Sequence, residues 1–162
     1  MAKLIDTLLL MALPASGKSE VRTYLASLTP EQCREEFHMG HTVQLDDFPY
    51  VHVMRRIDEE LVKLDHPTQF FLAGDKPFKD PIEWGTLMEL LNEDYADLRA
   101  ARRVEPASAA RHVFERLERA RELVGGPPKL SRLPSGVADG LAAALERECA
   151  ELLASKHAEY PE

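Results

Sequence analysis

The segment Leu8-Leu9-Leu10-Met11-Ala12-Leu13-Pro14-Ala15-Ser16-Gly17-Lys18-Ser19-Glu20 sets the expectations for the whole chain. It closes an apolar run, Leu4 to Leu13, that is interrupted only by Asp6 and Thr7 near its start. That run is long enough for one buried parallel strand. It breaks at Pro14 and passes into Gly17-Lys18-Ser19, after which a helical pattern begins. The order strand, glycine-containing loop, helix fits the phosphate-loop template G-x-x-x-x-G-K-[ST] at every fixed position except the first, where Ala12 replaces glycine.

Each residue type has a chemical reason to be there. Backbone N–H groups from about Ala15 to Ser19 would converge on a β-phosphate, aided by the positive end of the following helix. Gly17 leaves no side chain where backbone meets phosphate. Lys18 would set a point charge between β- and γ-phosphates, and the Ser19 hydroxyl would hold Mg2+. Pro14, Ala15, Ser16, Gly17, Lys18, Ser19 and Glu20 form the expected nucleotide-binding set, with ATP and Mg2+ as the implied ligands.

The 162 residues, 44% hydrophobic and 30% charged, describe a globular chain with enough apolar material for a core. A formal charge of −8 argues against a surface built to coat nucleic acid. Cys33 and Cys149 fit neither a metal nor a disulfide spacing, which suits a reducing cytosol. The N-terminal apolar run is too short to span a bilayer, and as a signal peptide it would run directly into the loop. A cytoplasmic protein without membrane contact is the expectation.

Along the chain, Lys18 to Leu28 reads as a helix. Thr29-Pro30-Glu31 then has the features of an N-cap, a first-turn proline and a first-turn acid. The short helix that follows should end near Phe37. His41 to Leu45 reads as a second, parallel strand ending in Asp46-Asp47-Phe48 at the edge where ligands sit in open α/β sheets. Tyr50 to Leu64 is helical, with Val53, Ile57, Leu61 and Leu64 on one face. Gln69 to Asp75 is either a short strand or a loop that plugs a hydrophobic cleft. Helices are then expected over Ile82–Val104, Ala109–Val124 and Ser135–His157, with an unambiguous break at Gly125-Gly126-Pro127-Pro128. No internal repeat is visible. The expected architecture is an α/β phosphate-loop domain with few strands over residues 1–80. A helical lid, cap or interaction region would follow over 81–162. With so few strands and no second acidic strand end for magnesium, the chain reads as the N-terminal part of a longer protein.

The phosphate loop and the Asp-Asp-Phe turn together resemble the phosphate-loop kinases of nucleosides and other small molecules. Leu13-Pro14-Ala15-Ser16-Gly17-Lys18-Ser19 is similar to the loop common in these enzymes. Leu45-Asp46-Asp47-Phe48 resembles the end of the second strand in uridine-kinase-like and glycerate-kinase-like members. The likeness covers about the first 65 residues. It implies transfer of the γ-phosphoryl of MgATP to a small hydroxylated substrate, with Lys18, Asp46 and Asp47 as catalytic residues. Ser19 and Asp46 would then be the magnesium ligands. An Asp at this place would face the acceptor hydroxyl or a magnesium-bound water. Neighbouring strand residues point to opposite sides, so one of the pair should face the site, and Asp46 is favoured. The bland alternative is an acidic pair in a helix-capping turn before Tyr50.

Arg55 and Arg56 are candidates for an anionic substrate group. Arg111, Arg116, Arg119 and Arg121 could line a closing lid, although the interleaved Glu115, Glu118 and Glu122 suit a solvated face. His38 and His41 lack a third metal ligand. Trp84 reads as core, and Asn92-Glu93-Asp94 with Asp97 as a solvent-facing acidic patch. No Asn-Lys-x-Asp motif for reading guanine occurs, which weighs against a GTPase. A non-catalytic nucleotide-binding module and an ATPase switch remain the alternatives to a kinase. The expected partners are a nucleotide and a small-molecule substrate, with any homo-oligomer contact falling to the helical region.

Overall fold

The computed structural model describes residues 4, 5, 8, 17–40 and 42–160, with the side chain of Lys18 left aside. The chain divides into two compact units, Met1–Gln44 and Leu45–Glu162. The first contains α1, Lys18–Ser27, and α2, Pro30–Glu36. The second contains α3, Phe48–Lys63, α4, Ile82–Arg99, α5, Ala109–Leu123, and α6, Ser135–Ala158. None of the described helices is long and apolar enough to cross a membrane.

The α/β phosphate-loop architecture with its parallel sheet is corrected by this fold. Among the described residues there is no strand, and the β pairing consists of one antiparallel bridge between Phe71 and Phe78. Most of the first expected strand lies outside the described residues, and Leu4, Ile5 and Leu8 are exposed. Of the second, Thr42 to Leu45 are neither helix nor strand, and His41 is outside the description. A buried parallel strand must be covered on both faces by helices. Here the helices of the second unit turn their apolar faces on one another: the core cluster runs from Tyr50 to Leu153 and lies wholly within that unit. Gln69 to Asp75 takes the plug form, because Phe70 and Phe71 are buried in that cluster.

Local sequence explains each element. Thr29 caps α2 with a full capping box: its hydroxyl accepts from the Gln32 N–H at 3.2 Å and the Gln32 side chain accepts from the Thr29 N–H at 2.9 Å. α3 buries Tyr50, Val53, Met54, Ile57 and Leu61, one stripe at spacings of three and four. α4 stops earlier than the apolar pattern suggests, because Ala101 adopts φ 48° and the Arg102 N–H closes back on the Asp97 carbonyl at 2.9 Å. Ser108 caps α5, and Glu146 of α6 reinforces that cap by accepting from the Ser108 hydroxyl and the Ala109 and Ala110 amides. In the bundle α4 packs on α5, α5 on α6, and α6 on α3.

A local repeat that sequence reading missed joins α3 to α5. Asp58 accepts hydrogen bonds from three successive amides, Gln69 at 2.6 Å, Phe70 at 3.1 Å and Phe71 at 2.7 Å. Sixty residues on, Glu118 accepts from the amides of Lys129 at 3.0 Å, Leu130 at 3.0 Å and Ser131 at 3.3 Å. The helix ends match in the same register. His66 N–H donates to Leu61 and Gly126 N–H to Arg121, while Asp65 and Gly125 both take positive φ, 54° and 81°. His52-Val53, Arg56 and Pro67 recur as His112-Val113, Arg116 and Pro127. One motif, a helix whose own carboxylate anchors the turn that follows it, is used twice.

Candidate functional site

The N-terminus of α1 holds the described part of the phosphate-loop motif. Pro14, Ala15 and Ser16 lie outside the described residues. Gly17 is the N-cap and adopts φ 87°, ψ 14°, a left-handed conformation that glycine reaches without the cost a Cβ would add. Its carbonyl starts the helix by accepting from the Val21 N–H at 3.2 Å. Lys18 is the first helical residue, Ser19 and Glu20 are exposed in the first turn, and Glu20 is the first-turn acid. A broad, open depression of about 400 Å³ runs along this face, lined by Ser19, Glu20, Thr23, Tyr24 and Ser27. Within it the Thr23 hydroxyl donates to the Ser19 carbonyl at 3.0 Å, and Tyr24 meets Phe37 edge-on. Early amide N–H groups of a helix have no intrahelical acceptor, so this end can receive an anion.

The other predicted site residues belong to the second unit and are largely drawn into its own structure. Asp46 accepts from the Phe48 N–H at 3.2 Å, and Asp47 is the N-cap residue of α3, its carbonyl accepting from Tyr50 and Val51. This is the geometry of a helix-entry turn. Arg55 donates to the Gly74 carbonyl and lies 4.0 Å over the Phe71 ring, fastening the plug. Arg56 pairs with Glu59, Glu60 and, across the bundle, Glu148 at 3.1 Å.

The arginines of α5 divide: Arg111 and Arg119 lie on the solvated face with Glu115 and Glu122, whereas Arg116 and Arg121 do not. Arg116 and Arg121 are buried, and Arg119 pairs with Glu93 at 2.9 Å while Arg111 pairs with Asp139. Nor is Asn92 to Asp97 a solvent-facing patch: Asp94 is buried, and Glu93 binds both Arg116 and Arg119. Trp84 is mostly exposed rather than core, with its ring edge against Phe78. No group of three metal-ligating side chains occurs among the described residues, His38 included.

Two buried ionic clusters went unseen in the sequence. At one, the Asp94 carboxylate accepts from Tyr50 Oη at 2.7 Å, from Arg116 Nη2 at 2.8 Å and from Lys156 Nζ. Burial pushes the Tyr50 phenol far above its ordinary range and the Lys156 ammonium below its own. At the other, Glu83, fully buried, meets Arg121 and, at 2.6 Å, Lys129, while Asp80 takes Arg121 Nη2 at 2.7 Å. Glu83 Oε2 is a buried oxygen without a hydrogen-bond partner among the described residues. A signal existed: Asp94 and Arg116 sit at three-and-four spacing from Leu87, Leu90, Val113 and Ala120, on the stripes that carry the apolar residues of each helix.

No protein-family model, curated protein or solved structure matches the chain. The functional reading therefore rests on the residues themselves.

Proposed function

We propose that this chain binds a nucleoside triphosphate through Gly17-Lys18-Ser19 and transfers its γ-phosphoryl group to a small hydroxylated substrate. One observation carries the reading: Gly17 is left-handed at the N-cap of α1, with Lys18 and Ser19 in the turn just after it. A glycine there lets backbone amides approach a phosphate, the helix end favours negative charge, and Lys18 supplies a compact cation. Ser19 suits Mg2+, which prefers hard oxygen ligands and keeps several waters, and its hydroxyl is exposed at the start of the helix. When bound, the ion would neutralise charge on the phosphate oxygens. Phosphoryl transfer asks the protein chiefly for positioning and charge, so Lys18 and the amides of the first turn would do most of the work. The proposal gives Asp46 and Asp47 no role beyond entry into α3.

Titration calorimetry of the full chain with MgATP, MgGTP and MgADP tests the proposal. Saturable binding that Lys18→Ala weakens tenfold or more, about 1.4 kcal/mol, is the expected outcome. A folded chain that ignores all three nucleotides overturns it. ADP release that rises with an added polyol or nucleoside separates the kinase from an ATPase switch. Tight binding without turnover favours the non-catalytic module.

A further inference from the structure

We infer that the buried cluster Tyr50–Asp94–Arg116–Lys156 is a conformational key that sets the lengthwise register of α6 in the helical unit. Each of the four helices contributes one residue to it. Asp94 is the hub: Oδ1 accepts from Tyr50 Oη at 2.7 Å and from Arg116 Nη2 at 2.8 Å, and Oδ2 accepts from Lys156 Nζ. Lys156 Nζ also donates to Tyr50 Oη, and Arg116 Nε reaches Glu93 at 2.9 Å. The side chains of Asp94, Arg116 and Lys156 are only 3%, 5% and 14% exposed.

In one direction the apolar seam of α6 does not itself choose a register. Its buried residues Leu141, Leu145, Cys149 and Leu153 recur every fourth position, with Ala142 beside the first. Sliding the helix by one turn, about 6 Å, so that Leu152 reaches the place of Lys156, would set Val137, Leu141, Leu145 and Cys149 on those four positions and Ala138 on that of Ala142. Hydrophobic attraction has no direction, and swaps of similar volume are well tolerated. The ionic cluster does discriminate, because a slide of four residues presents Leu152 or Tyr160 where Lys156 now sits. Asp94 would then lose one of its two cations while still buried, the arrangement proteins tolerate least. Other polar ties on α6, which include Asp139 to Arg111 and His157 to the Val104 amide, are weaker discriminators. Glu146 on the α5 cap and Glu148 on Arg56 lie nearer solvent, where water replaces a lost partner.

The test is to move the key in the full chain, with Leu152→Lys and Lys156→Leu together. Spin labels at Lys63 on α3 and Arg147 on α6, both exposed, read the register by pulsed electron resonance. The expected result is a folded protein whose label separation changes by several ångströms, as α6 slides a turn to seat the relocated ammonium. An unchanged separation in a folded variant overturns the inference. Should that pair fail to fold, the apolar triple Asp94→Leu, Arg116→Leu, Lys156→Leu decides. A helical protein with a split or broadened distance distribution supports the key. A single unchanged distance, or loss of the helical fold, overturns it.

Discussion

Asp65, Ala101 and Gly125 share a left-handed backbone, with φ of 54°, 48° and 81°. A Cβ costs about 1–2 kcal/mol there, while glycine costs about 0.5–1 kcal/mol in lost chain entropy. Ala101→Gly should therefore raise stability by about 0.5–1 kcal/mol, and Gly125→Ala should lower it by a similar amount, in urea unfolding followed by circular dichroism. At Gly126 the limit is space. A Cβ would lie 2.6 Å from Cγ of Arg121, a side chain already held by Glu83, Asp80 and the Pro127 carbonyl. Gly126→Ala should cost about 1–3 kcal/mol in the same measurement. Asp58→Ala removes the acceptor of three amides, two of them in the buried pair Phe70 and Phe71, and should cost more than Glu118→Ala, whose turn is nearer water.

At the scale of elements, helices α1 to α6 were legible because their caps and apolar spacing are local. Thr29-Pro30, Ser108 and Gly125-Gly126 each mark an end that the structure keeps. The destination of the charged faces was not legible. Arg116 and Arg121 stand among glutamates at spacings that suit pairing along one helix. Their carboxylate partners come from α4 and the turn before it, more than twenty residues away, and no local pattern encodes that pairing. The buried tyrosine between α3 and α4 makes the packing sensitive to alkali. Its folded pKa is raised, mainly by desolvation, so the folded state keeps the phenol proton that the unfolded chain releases above about pH 10. The unfolded state then holds fewer protons, and stability falls as pH climbs past that point. Lys156, lowered by burial, works in the opposite sense below its ordinary value. Urea unfolding from pH 8 to 11 should show a steeper alkaline loss in the wild type than in Tyr50→Phe, and parallel profiles would refute the assignment.

At the scale of the molecule, the sheet was misread because a β-prone stretch such as Thr42-Val43-Gln44-Leu45 forms a strand only where a neighbour pairs with it, and here it is neither helix nor strand. The count of strands was the better guide: two strands cannot bury a phosphate-loop sheet, whereas four amphipathic helices can close a core on themselves. That core lies within Leu45–Glu162. A fragment of those residues should keep its helical signal and one cooperative thermal transition, and loss of its near-ultraviolet dichroism would show that the first unit is needed. The loop-to-helix step at Gly17 was legible for the opposite reason, since glycine, lysine and serine at a helix start are a local signal. The carboxylate cradles of Asp58 and Glu118 have a last consequence, in how the protein exchanges hydrogen with solvent. Amides of irregular loops ordinarily swap their protons quickly, yet those of Gln69 to Phe71 and Lys129 to Ser131 are as fully engaged as amides inside a helix. In heavy water both turns should retain protium alongside the helices they follow, so that an exchange map would draw each helix several residues longer than its backbone.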